Sequence, residues 1–173
     1  SNDMALDTQH ARFAKDCVFR EEMNEEKARA EGRTILGTIA GFSFTGCEPK
    51  RMGMGPIYSS SKLMKEMGLD MKQFDLVELN EAFAAQVLAN QRAWSSKTYA
   101  AEKLGRTEAL GELRDEVLNV NGGAIALGHP VGATGVRLII TALMELRRRN
   151  GQRALATLCI GGGQGAAFVL ERN

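Results

Sequence analysis

The chain has 173 residues, enough for one domain of ordinary size with its own core. With 44% apolar and 25% charged residues it reads as a soluble globular protein. A formal net charge of +1 gives no electrostatic footprint for nucleic acid or an anionic membrane, and no apolar run approaches the roughly 20 residues that span a bilayer.

Ser1-Asn2-Asp3 ahead of Met4 reads as an expression scar, and no charged-then-apolar signal pattern follows it. Residues 4–32 form a charged helical segment, with a partial apolar stripe at Ala11, Phe13, Ala14, Val18 and Phe19. A second helical stretch runs from Asn24 to Glu31 and ends at Gly32. Residues 33–173 form the main domain. Its first strand is expected over 34–45, rich in β-branched and aromatic residues, with bends or bulges at Gly37 and Gly41. A loop with Pro49, Gly53, Gly55 and Pro56 leads to an amphipathic helix over 57–67, apolar at Leu63, Met64 and Met67 and stopped by Gly68.

Phe74 to Leu79 reads as a short strand. Asn80 then stands where a helix N-cap belongs, with Glu81 in the first turn of a helix reaching toward Trp94. Residues 95–116 are polar and helix-prone, as in a surface excursion. A strand is expected at Val117 to Asn121, then a glycine-punctuated loop over 122–135. Val136, Ile139, Ile140 and Leu143 repeat at helical spacing, and Arg147 to Arg149 complement the end of that helix. Ala154 to Cys159 and Ala166 to Leu170 are apolar strands too close together for a helical crossover, hence antiparallel neighbours. The fold class is therefore α/β, a layered mixed β-sheet covered by helices.

Three side chains stand at strand ends or loops: Asn80, His129 and Cys159. In open α/β sheets ligands gather beyond the carboxyl ends of strands, so the three can share one rim. Nine of the 19 glycines lie in 122–135 and 161–165, which concentrates backbone freedom beside them. A thiolate is a nucleophile or base, a neutral imidazole moves a proton or steadies an oxyanion, and an amide orients water. Backbone N–H groups near Gly161 can hold an anionic oxygen. Each residue also has a bland reading. Asn80 is a favoured cap type, a lone buried Cys is usually inert, and glycine runs mark turns. The cysteines, Cys17, Cys47 and Cys159, are odd in number and widely spaced, with no Cys-x-x-Cys pair. No metal site is expected, and a reducing, cytoplasmic compartment is.

Taken together, Asn80-Glu81-Ala82-Phe83-Ala84, the run Asn119 to Gly135 containing Gly128-His129-Pro130, and Cys159-Ile160-Gly161-Gly162-Gly163-Gln164-Gly165 resemble the motifs of thiolases. Met52-Gly53-Met54-Gly55-Pro56 is similar to a further segment of that family. The resemblance runs from about Asn24 to the C-terminus and corresponds to a C-terminal half. It leans toward the 3-ketoacyl-CoA thiolases of fatty-acid degradation, and acetyl-CoA acetyltransferases share these motifs.

The resemblance implies thiolysis of 3-ketoacyl-CoA or the reverse Claisen condensation, with coenzyme A as substrate and no tightly bound cofactor. It implies Cys159 as acid/base, and His129 as activator of the acyl-accepting cysteine that also helps hold the thioester oxygen in an oxyanion site. Asn80 would hold a water in the same oxyanion site, and the Gly161 N–H would serve a second. Met52, Ala82 and Phe83 would line the acyl pocket. The family's acyl-accepting cysteine falls in the other half, and neither Cys17 nor Cys47 has its surroundings. The chain is therefore expected to be inactive alone. Its expected partners are an N-terminal thiolase half or further copies of itself, with apolar surface exposed until covered. Two other readings stay open: a self-sufficient Cys–His–Asn hydrolase, and a non-catalytic remnant or interaction module.

Overall fold

The computed structural model describes residues 24–173. The stripe expected at Ala11 to Phe19 and the first three residues lie outside the described residues. The chain divides into two units, with the boundary between Ile35 and Leu36. In the first, helix α1 spans Glu25–Ala30. Asn24 caps it, its side-chain oxygen accepting the Lys27 N–H at 2.8 Å, and the chain leaves the helix through Gly32 at φ +65.

The second unit is built on a sheet of four strands: β1 (Thr38–Gly46), β2 (Leu76–Leu79), β3 (Arg153–Ile160) and β4 (Gln164–Glu171). Their order is β1-β4-β3-β2. β4 runs antiparallel to both β1 and β3, while β2 and β3 are parallel. The sheet is thus mixed, and the last two strands form the expected hairpin. β1 starts at Thr38, later than expected, and Gly37 before it is pressed against its neighbours. A Cβ there would lie 2.5 Å from the Glu171 carbonyl oxygen and from a Leu143 methyl. The register slips between Ile39 and Gly41, the bulge foreseen at Gly41. The strand expected at 117–121 shrinks to a single parallel bridge between Val77 and Leu118. Asn119 beside it takes φ +45, which turns the chain out of the sheet.

Five helices complete this unit: α2 (Gly55–Met67), α3 (Ala84–Ser95), α4 (Lys97–Leu104), α5 (Ala124–Leu127) and α6 (Val131–Arg149). α2 and α6 cover opposite faces of the sheet, and strand alternation sorts the side chains between them. Val77, Leu79, Leu155, Ala167 and Val169 join Ile57, Leu63 and Met64 of α2 in one core. Leu76, Ala154, Ala156 and Leu170 join Leu138, Ala142, Leu143 and Leu146 of α6 in the other. α2 stops at Gly68, which takes φ +65 and donates its N–H to the Lys65 and Met64 carbonyls. α2 enters against β4 with backbone on backbone, since a Cβ on Gly165 would lie 2.1 Å from the Gly55 carbonyl oxygen. α6 ends, as expected, in Arg147 to Arg149 before Asn150 in the left-handed region.

Residues 95–116 are more than a surface excursion. After α4 the chain turns inward and buries Leu110 and Leu113 beside Trp94 and Met71. Trp94 is fully buried, and its indole N–H donates to the Met71 sulfur at 3.2 Å. The polar composition hides two apolar anchors in an otherwise irregular segment.

Candidate active site

Asn80 prolongs β2 by one residue. Its N–H donates to the Thr157 carbonyl at 2.9 Å, and the residue is fully buried. It is not a helix cap. α3 begins at Ala84, and Phe83 sits at the cap position in extended conformation with no side-chain cap bond. The backbone stays extended because Asn80 is held in register with β3. Glu81 is also tied elsewhere: its carboxylate accepts from Asn119 Nδ2 at 2.9 Å and from the Ile125 N–H at 3.0 Å. The expected place of Glu81 in the first helical turn is therefore wrong as well.

His129 follows α5 and Gly128 and precedes Pro130, which opens α6. Its Nδ1 lies 2.7 Å from Thr134 Oγ1. The Thr134 hydroxyl donates to the Pro130 carbonyl at 3.1 Å, so toward the imidazole it accepts. In a neutral imidazole that network favours the tautomer with its proton on Nδ1 and a lone pair on Nε2. Asn80 Nδ2 approaches Nε2 at 3.4 Å, a long contact, while Asn80 Oδ1 is buried without a partner. The imidazole itself is exposed.

Cys159 sits at the end of β3, paired with Gly165, and is 8% exposed. Burial pushes its thiol pKa up; its own backbone offsets this in part, and Cys47 adds to it. Among the described residues no hydrogen bond joins Cys159 to His129 or Asn80. Cys47 lies past the end of β1, its N–H donating to the Gly163 carbonyl at 2.7 Å. Its thiol pKa is also raised, first by burial and then by Glu48. Gly161 is exposed in the β3–β4 turn, where Gly162 and Gly163 take φ +86 and +88.

Met52 lies half-buried in a 3-10 turn over Pro49–Met54. That turn packs on the β3–β4 hairpin and on α3, where Asn90 Nδ2 donates to the Gly53 carbonyl at 2.8 Å. Ala82 is half-buried, and Phe83 is 62% exposed. The geometry thus brings Asn80 and His129 into contact and places Cys159 and Gly161 at the same end of the sheet. Phe83 is left open to solvent. The groove lined by Gln91, Arg92 and residues 112–116 contains none of these residues.

Sequence reasoning missed several groups. Thr134 sets the imidazole tautomer, and its only signal was its place one turn after Pro130. Asn119 bonds the Leu79 N–H and carbonyl at 2.8 and 2.9 Å. Glu78, two residues before Asn80, is fully buried on the α6 side of β2, and neither carboxylate oxygen has a hydrogen-bond partner. Burial pushes its pKa up to about 8; the nearby Arg137 guanidinium opposes this, and Glu81 and Glu145 add to it. The Arg137 nitrogens also lack hydrogen-bond partners. Among the described residues no cluster of three or more His, Cys, Asp or Glu side chains is placed to hold a metal. None of the described helices is long and apolar enough to cross a membrane.

Comparison with known proteins identifies what the chain as a whole is similar to. The sequence profile of the family described as "Thiolase, C-terminal domain" matches residues 33–172. The chain is 48% identical over 151 residues to the 3-ketoacyl-CoA thiolase of Pseudoalteromonas translucida, covering 86% of this chain and 34% of that one. It is 45% identical over 150 residues to that of Shewanella piezotolerans, with the same coverage. Among solved structures, human mitochondrial 3-ketoacyl-CoA thiolase superposes with a TM-score of 0.74 at 41% identity, over 87% of this chain and 34% of that one. The acetyl-CoA acetyltransferase of Bacillus anthracis gives 0.73 at 38% identity, also over 87% and 34%. The chain spans about a third of the length of the curated relatives it matches.

Proposed function

This chain belongs to the thiolase family, matching its C-terminal domain. From that premise we propose that it supplies the acid/base and oxyanion groups of an acyltransferase acting on 3-ketoacyl-CoA. The observation that carries this reading is the His129 network, with Nδ1–H directed at Thr134 and Nε2 facing Asn80 at 3.4 Å. An imidazole oriented in this way presents an Nε2 lone pair that takes the proton of a thiol, and the Nε2–H so formed, beside the Asn80 amide, then donates to an oxyanion.

In thiolysis, the acyl-accepting cysteine thiolate adds to the 3-keto carbon and the bond between carbons 2 and 3 breaks. The leaving carbanion becomes acetyl-CoA by taking the proton of the Cys159 thiol. An incoming CoA thiol then gives its proton back to the Cys159 sulfur and attacks the acyl group, releasing the shortened acyl-CoA. The raised pKa of Cys159 suits this cycle, which begins with sulfur protonated. The Gly161 N–H and the Asn80 and His129 pair serve the two oxyanions, and Met52, Ala82 and Phe83 border the acyl group. CoA enters as a substrate; one human thiolase neighbour is a complex with CoA.

The acyl-accepting cysteine is supplied by an N-terminal thiolase half, and the chain alone is inactive. Support comes from the relatives' extra length and from Phe42 and Phe44. These side chains are 63% and 54% exposed and stack edge to face, with Phe44 also on Phe168. They form an apolar surface beyond the reach of α6, suited to a docked half. In this reading residues 33–173 are the domain. The assembly works in the cytoplasm, in fatty-acid degradation; further copies of this chain are the alternative partner. The hydrolase alternative has less support, because both imidazole nitrogens face groups other than Cys159 and that thiol is raised in pKa.

The test is acetoacetyl-CoA thiolysis by this chain with and without a matching N-terminal half. Turnover is expected only with both, and Cys159→Ala abolishes it. Robust turnover by this chain alone overturns the requirement for a second half.

A further inference from the structure

Asn80 and His129 stand 49 positions apart in sequence and on different loops. Their 3.4 Å contact is too long to set its own geometry. His129 is exposed, and its one short side-chain bond is to Thr134. Something else must hold the two loops at this spacing.

The Glu81 carboxylate does so from between them. Oε1 accepts from Asn119 Nδ2 at 2.9 Å, and Oε2 accepts from the Ile125 N–H at 3.0 Å. Asn119 grips both backbone groups of Leu79, the residue before Asn80. Ile125 lies in α5, four residues before His129. The carboxylate also rests directly on Gly123, where a Cβ would lie 2.0 to 2.3 Å from its three heavy atoms. One side chain thus contacts both ends of the loop that delivers the imidazole, while its own backbone is joined to Asn80.

We propose that Glu81 is a positioning residue that locks the Asn80 turn to the 119–128 loop and so fixes the approach of Asn80 to His129. This rests on the roles given to those two residues above. The competing account is a plain loop staple, which would matter for stability and leave the imidazole unchanged.

The test reads the imidazole and needs no turnover, so its failure is separable from failure of the thiolase reading. Long-range proton–nitrogen NMR of the full chain reports the tautomer of each histidine. There are two, His10 and His129, and His10→Gln assigns them. The native chain is expected to show His129 with its proton on Nδ1, and an Ile125 amide protected from exchange. Glu81→Gln leaves one acceptor oxygen where two are used. It should shift the His129 signals toward those of a free imidazole and speed Ile125 exchange at least tenfold. Gly123→Ala, which displaces the carboxylate without changing its charge, should do the same. An unprotected Ile125 amide in the native chain overturns the proposal. So does an unchanged His129 Nε2 resonance in both folded variants. Loss of the fold in both assigns these contacts to general stability and overturns it too.

Discussion

The two faces of the sheet are finished differently. The α2 face closes over Ile57, Met64, Phe74, Trp94 and Leu155, all at most 1% exposed, and its interior hydrogen bonds include Trp94 to the Met71 sulfur and Thr157 to the Ala166 carbonyl. The α6 face buries Glu78 and Glu145, holds Arg137 without hydrogen-bond partners, and leaves Phe42 and Phe44 open beside it. One face is ordinary core, whose stability comes from apolar area and close packing. The other buries ionisable side chains among its apolar ones, and its apolar rim at Phe42 and Phe44 is open to solvent.

The contrast can be broken most forcefully on the α2 face. Phe74→Ala should destabilise the chain by about 3–5 kcal/mol, the cost of a large buried cavity, read as a shift in urea midpoint by far-UV circular dichroism. A loss below about 1 kcal/mol would remove the claim that this face is the close-packed one.

On the α6 face the expected sign reverses. The folded-state pKa of Glu78 is raised to about 8 from an ordinary value of 4.5, so the folded chain keeps a proton that the unfolded chain has lost. The stability it contributes is fully present below about pH 4.5 and is lost as the pH rises through 8. Glu78→Gln should therefore stabilise the chain at pH 8, by on the order of a few kcal/mol, and by much less at pH 5. Parallel denaturation curves at the two pH values measure it, and a pH-independent difference would show that Glu78 is not held protonated.

The exposed rim gives a smaller effect. Phe44→Ser should cost the isolated chain about 1 kcal/mol, the edge-to-face contacts with Phe42 and Phe168. The same change should weaken capture of an N-terminal half at least tenfold in a pull-down titration. Equal capture by both chains would mean that this rim is not where that half docks. Least of all, Lys97→Ala removes an exposed 2.9 Å pair with Glu108 and should change stability by less than about 0.5 kcal/mol. A larger change would mean that surface pairs matter here as much as the buried charges do.

Much of the fold was legible locally. Gly68 as the end of α2, the hairpin of β3 and β4, and α6 with its arginine-rich end all rest on signals within a few residues, where periodicity and capping act. The same local logic misled at Asn80, which has the composition of a cap and the position of a strand residue. The polar stretch 95–116 misled for a like reason, since two leucines spaced three apart carry no periodic signal. At the site, the residue types of Asn80, His129 and Cys159 were readable, and their contacts were not.

By itself the sequence determined the alternation of strands and helices, the turn positions and the thiolase motifs, because each is written in neighbouring residues. Only the tertiary structure decided the partners of His129, the burial of Glu78 and the contacts of Glu81. Glu81 meets its partners 38 and 44 positions away, and hydrogen bonds over such separations exist only once the sheet has assembled. No local propensity encodes which distant donor a carboxylate will find, since closing the loop between them depends on every contact that brings the strands together.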